Sequence, residues 1–161
     1  MGPGRLSIEG ALSETTLEEV LRLVVHEGCI GETIAAMEAA ESIALAQDPQ
    51  IREALAQIEH DERRHSELAW QFVQWALSVD ASLSERLRNI VADEIRRAKR
   101  DSDALEYCVA GIDEELSARY GVLPRATRHA LRQVALREVI EPCARELLRP
   151  ATTKQRAPAA A

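Results

Sequence analysis

The sequence predicts an all-α fold, and three observations carry that expectation. Ala, Leu, Glu and Arg, all strong helix formers, dominate the chain. Val, Ile and Thr never alternate with polar residues over a strand's length. Gly and Pro, which interrupt regular structure, number only 7 and 6 in 161 residues. A chain of this length builds one domain.

The elements follow in order. Residues 1–12 read as a flexible leader, with Gly2, Pro3 and Gly4 near its start. Thr16 followed by Glu19 makes a capping-box pattern, with Ser13 a competing N-cap. One long helix then runs to about Gln47, interrupted by Gly28 and Gly31. Two glycines so close together imply that a neighbouring backbone approaches. Asp48-Pro49 ends this helix, and Pro49 suits the first turn of the next, which runs to about Ser78. Residues 13–79 thus form an antiparallel helical hairpin, and 80–149 a set of C-terminal helices. Asp80 and Ser82 mark a break. Ser82 with Glu85 is a second capping-box pattern, opening a third helix to about Lys99, and Asp101-Ser102-Asp103 is another weak point. From Ala104 to about Tyr120, Leu105, Cys108, Val109, Ile112 and Leu116 keep helical spacing, with Gly121 as a C-cap. Pro124 opens a last helix to about Leu148, which Pro142 should kink. Residues 150–161 carry no pattern and read as a flexible tail.

Charge and composition exclude several classes. The chain has 20 Lys plus Arg against 27 Asp plus Glu, a net charge of -7, which argues against nucleic-acid binding. Hydrophobic residues at 46% suffice for a packed core. No apolar run approaches the ~20 residues of a membrane span, and the first residues lack the apolar stretch of a secretory signal. Cys29, Cys108 and Cys143 are odd in number, far apart and form no CxxC pair. They read as small buried hydrophobes in a reducing cytoplasm.

The second helix carries the chemistry. Ile51, Leu55, Ile58, Glu62, His65, Ala69, Phe72 and Ala76 alternate spacings of four and three, one narrow helical face. Every member is apolar except Glu62 and His65, so a carboxylate and an imidazole stand where a core is expected and need partners. A metal ion satisfies both. Glu62 and His65 form a Glu-x-x-His pair, and residues i and i+3 reach one ion from one side of a helix. Di-iron carboxylate bundles combine this pair with a lone Glu on a facing helix. Here that residue is Glu32, on the stripe Val25, Cys29, Glu32, Ala36, Ala39 and Ile43. The Asp48-Pro49 turn lies nearly midway between Glu32 and Glu62, so an antiparallel hairpin brings them level. Glu27 competes for this role, but α-helical pitch turns it away from the Glu32 stripe. Glu59, His60 and Asp61 read as surface groups or an acidic path for incoming iron. Trp70 and Trp75 read as core or subunit contacts.

The segments EGCIGETIAAMEAAE, the DP turn and IEHDERRHSELAWQFVQWAL, about residues 20–79, resemble the ferritin-like superfamily. The spacing of Glu32, Asp48-Pro49, Glu62 and His65 is similar to that of the encapsulated ferritins, whose two bundle helices per chain complete the site by dimerisation. The segment is also similar to the C-terminal half of longer bacterial ferritin-like proteins. The resemblance implies Glu32 and Glu62 as carboxylate ligands, Glu62 bridging, and His65 as a terminal nitrogen ligand.

One Glu plus one Glu-x-x-His is too few ligands for two irons. A two-fold axis through the site doubles the set to four Glu and two His. The expected architecture is therefore a homodimer, or a larger even assembly, with the site on the axis. The rival is completion within one chain by Glu94, Glu138 and Glu141. Carboxylate-rich ligation suits iron, with manganese the alternative. The expected function is a di-iron oxidoreductase, in its simplest form a ferroxidase taking Fe(II) and O2. A di-iron oxidase of a small organic molecule and a non-catalytic helical interaction module are the alternatives, although no residue indicates an organic pocket. A protein partner or compartment shell stays open as a further contact.

Overall fold

A computed structural model describes residues 15–103, 117 and 119–149. The leader, Ser13, most of the segment from Ala104 to Tyr120 (with Cys108) and the tail at 150–161 lie outside the described residues. Those described are predominantly helical, with no strand among them. No helix among them is long and apolar enough to cross a membrane.

The chain opens with α1 (Leu17–Leu23), which passes without a break into a π-helical stretch, π1 (Val24–Glu32), and then α2 (Thr33–Leu45). Thr16 is the N-cap: its hydroxyl accepts from the Glu19 N–H at 3.2 Å, and its own N–H donates to the Glu19 carboxylate at 2.8 Å. Asp48 caps α3 (Pro49–Val79) by accepting from the Gln50 N–H at 2.8 Å, with Pro49 in the first turn. α4 spans Leu83–Asp103 and is still helical over the weak point at Asp101-Ser102-Asp103. At Ser82 the expected box is replaced by a bond pair to Asp80, which accepts from the Ser82 N–H at 2.9 Å and from its hydroxyl at 2.6 Å. The last rod is α5 (Arg125–Ala135), a second π stretch, π2 (Leu136–Ile140), and α6 (Glu141–Leu147). The distortion expected at Pro142 takes the form of π2. Just before the proline, the Glu141 N–H reaches back to the Leu136 carbonyl.

Gly121 has φ +74, a left-handed conformation that favours glycine. It is buried against Ser42, Ala46 and Leu55, beside the turn between α2 and α3. There the Gln47 N–H donates to the Arg119 carbonyl at 2.8 Å, fastening this segment to the hairpin.

All four rods feed one core. Leu21, Val25, Cys29 and Ile30 from the first meet Ala69, Val73 and Ala76 from α3, Leu87, Ile90 and Val91 from α4, and Leu136 and Ile140 from the last. Fully burying a Leu, Ile or Val contributes roughly 1.5–3 kcal/mol. The α3 face differs from the expected one. Its buried residues are Ser66, Ala69, Val73 and Ala76, whereas Ile58 and His65 are exposed. The core stripe is thus rotated toward Ser66: Glu62, half-buried, continues its spacing four residues before Ser66, and His65 stands at its exposed edge.

The reason lies at Gly28. A Cβ there would sit 2.5 Å from the Ala69 Cβ, so π1 and α3 meet at two of the smallest residues available. That contact draws Ala69, with Ser66 and Val73 flanking it, into the seam. Gly28→Ala is therefore expected to destabilise the fold by about 1–3 kcal/mol through overpacking. Ala69→Gly should restore part of the loss, as read by urea unfolding of the single and double variants.

Candidate metal centre

Two helices bring the site together. Pairs along the seam run in opposite directions, Gly28 against Ala69 and Thr33 against Ser66, so the hairpin is antiparallel. The Thr33 and Ser66 hydroxyls lie 2.6 Å apart, both buried, and Thr33 also donates to the Cys29 carbonyl at 2.7 Å. The single Thr33 proton goes to Cys29, so Ser66 is the donor between the hydroxyls. The next position toward the N-terminus on each helix is a site residue, Glu32 before Thr33 and His65 before Ser66.

Glu32, Glu62 and His65 each offer a ligand atom, and these atoms lie within 4.8 Å of one another. Two carboxylates and one imidazole at that separation suit a divalent first-row cation. The Glu32 carboxyl is pushed up to about 7, first by its hydrogen bond to Glu62 and then by burial. Glu62 is held below the ordinary carboxylate range, first by that hydrogen bond and, against the effect of burial, by His65, whose Nδ1 lies 3.3 Å from Oε2. The pair thus shares a proton near neutrality, which a cation must displace. The His65 side chain is 61% exposed and that of Glu62 26%, so the group opens to solvent instead of being enclosed. A shallow depression lined by Asp61, Arg64, Leu68 and Gln71 adjoins His65.

The π winding changes the place of Glu27. At 3.6 residues per turn, residues five apart lie well round a helix from each other. The i→i+5 winding of π1 closes that angle, and the charge of Glu27 contributes to raising Glu32. Glu27 is nonetheless exposed and stands outside the group of ligand atoms, its charge being the smallest of the contributions to Glu32. The two glycines inside the run are the available signal of the π winding, because they weaken ordinary helix there.

The residues of the intrachain alternative go elsewhere. Glu94 is 3% exposed, its Oε2 held by Arg132 at 2.6 Å and its Oε1 by Arg97 at 3.1 Å and His26 at 3.5 Å. Glu138 and Glu141 pair with Arg137 and Arg145 at the surface. Among the described residues, Glu32, Glu62 and His65 make the one group of three or more suited to a metal. Asp61 accepts from Gln57 at 2.9 Å, Glu59 lies 3.6 Å from Arg63, and His60 is exposed. Cys29 is a buried free thiol pushed up to about 12 by burial, and Cys143 is also free. No family profile, curated protein or solved structure matches the chain.

Two outcomes follow. Divalent-metal affinity should fall by roughly tenfold per pH unit below about 7 as Glu32 retains its proton, measured by competition with a chromophoric chelator. Glu94→Gln should cost about 1–3 kcal/mol, discounted from a fully buried pair because both arginines reach solvent. It should leave metal binding in place, whereas Glu62→Ala should abolish it. Both are read by thermal unfolding and metal titration.

Proposed function

We propose that the chain is a di-iron carboxylate oxidoreductase of ferritin-like type, in its simplest form a ferroxidase, with the site completed across a homodimer two-fold. The observation that carries this reading is the convergence of Glu32, Glu62 and His65 within 4.8 Å at an exposed edge of the hairpin. Three side chains supply half of a di-iron ligand set, and their exposure leaves room for the other half.

The surface around the site supports the two-fold. On α3, Ile58, Leu68, Trp75 and Val79 are all exposed, Leu68 at 65% and Trp75 at 52%. With Glu62, His65 and Phe72 they follow three- and four-residue spacing along one side of the helix, and the four exposed residues stay uncovered while Phe72 packs on the core. The Phe72 and Trp75 rings pack 5.4 Å apart within this stripe. Two copies of such a stripe meeting about a two-fold bury their apolar residues and face their Glu32, Glu62 and His65 sets toward each other.

Glu32, Glu62 and His65, with their two-fold copies, would hold the iron, which would supply one electron per Fe(II) for the two-proton reduction of O2 to hydrogen peroxide. The residues of the chain have separate tasks. Glu32 and Glu62 supply negative charge that favours the ferric product, and Glu32 releases its shared proton on loading. Glu62, which contacts both Glu32 and His65, would hold the metal together with them. His65 contributes a neutral nitrogen, and the adjoining depression admits the small reactants. Manganese fits the same donors.

Metal content and solution mass on protein reconstituted anaerobically with Fe(II) test this reading. One iron per chain in an even assembly is expected, lost in Glu62→Ala. Leu68→Asp combined with Trp75→Asp should yield a folded monomer that binds iron at least tenfold more weakly. A monomer that holds stoichiometric iron sinks the two-fold, and absence of stoichiometric metal sinks the centre itself.

A further inference from the structure

The seam between the first rod and α3 is apolar along most of its length, with Val25, Cys29, Ala69, Val73 and Ala76 buried in it. Thr33 and Ser66 are the exception. They are 7% and 8% exposed, and among the other polar or charged residues described only Ser42 and Glu94 are buried. Apolar side chains of the same shape would fill the same space at no loss, so packing alone does not call for two hydroxyls.

What the hydroxyls add is direction. Ser66 donates to the Thr33 oxygen, the two lying 2.6 Å apart, and Thr33 donates to the Cys29 carbonyl at 2.7 Å. This run of two bonds leaves α3, crosses the seam and ends on the backbone of π1. Its ends stand where the ligands are aimed. Glu32 is the last residue of π1 and Thr33 the first of α2, so the bond to Cys29 holds the junction at which the winding changes. Shifting that junction along the chain would turn Glu32 about the helix axis, because π and α windings advance by different angles per residue. On α3, Ser66 follows His65 directly and stands about one turn after Glu62. A slide or roll of α3 against the first rod therefore moves both of its ligands at once. The Ser66 bond opposes both motions, since a hydrogen bond weakens steeply with distance and angle.

We propose that Thr33 and Ser66 are positioning residues of the metal centre: their bonds lock the two helices at the height and roll that bring the Glu32, Glu62 and His65 ligand atoms within 4.8 Å of one another. The assignment rests on the metal-centre reading above. It divides the seam into two tasks. Gly28 and Ala69 set how closely the helices approach, a non-directional contact, and the hydroxyls select one offset at that separation. Their residue types are ordinary on any helix, so only their burial marks them.

Co(II) titration of the full chain, followed by its visible absorption, tests this, with thermal unfolding of the metal-free protein at the same concentration. Thr33→Val keeps the shape and removes the hydroxyl, and Ser66→Ala removes its partner. Each should fold, bind Co(II) roughly tenfold more weakly and give an altered Co(II) band. The double variant should match Thr33→Val within about twofold, because both changes break the same bond. Thr33→Ser keeps the hydroxyl and should retain the wild-type affinity and band. Leu87→Ala, at a fully buried position on α4, is the comparison for lost stability alone: it should unfold earlier yet bind Co(II) as the wild type does. Should Thr33→Val not fold, Ser66→Ala against Leu87→Ala decides the matter. Wild-type affinity in the hydroxyl variants overturns the positioning role and leaves the centre standing. So does an equal loss in Leu87→Ala, or losses in the single variants that multiply in the double. A wild type that takes up no Co(II) sinks the centre, and this role with it.

Discussion

The tight approach of Gly28 to Ala69 is the constraint on which the rest depends. With no side chain on one partner and a methyl on the other, π1 and α3 come together without a spacer. One helical turn on, the Thr33 and Ser66 hydroxyls bond across the gap. These contacts set the height and rotation of one helix against the other. Glu32 and Glu62 reach each other because the seam beneath them is narrow, and their shared proton follows from that proximity.

The C-terminal half braces this hairpin. Glu94 on α4 draws in Arg132 from α5 and His26 from π1, so one buried carboxylate ties three rods together. Arg128 adds a link from α5 to Glu38 on α2 at 3.1 Å. A buried carboxylate is tolerable only with such compensation. Its role is architectural: it anchors the rod that carries Glu27 and Glu32, and it keeps its own charge away from the cation group.

Much of this is legible in the sequence, for local reasons. The caps at Thr16 and Asp48 are decided by side-chain chemistry within a few residues, and the all-α class by composition. The approach of Glu32 to Glu62 is readable because both stand nearly equally far from the turn. What escapes the sequence is rotation. Periodicity centres a stripe on Glu62 and His65 with Ala69 among its members, whereas the glycine that meets Ala69 turns the face so that Ser66 and Val73 are buried and His65 is left exposed. The π winding of π1 escapes because the two glycines weaken ordinary helix without naming what replaces it. Glu94 resembles any charged helix residue until Arg132, far along the chain, encloses it.

The π stretch also makes the hairpin a counting device. A π turn holds nearly one residue more than the 3.6 of an α turn, so π1 behaves as an α-helix that has accepted an insertion. Thr33 stabilises its end by offering a hydroxyl to the Cys29 carbonyl. Losing one residue from Val24–Glu32 would allow ordinary winding again with the flanking segments still in phase. Winding the same residues as an α-helix would instead turn everything before them by about 100°, the α-helical angle per residue, swinging Leu21 relative to Ala39. The extra residue and the π winding therefore go together. A change that imposed ordinary winding without shortening the segment would separate the core of the first rod from its carboxylate.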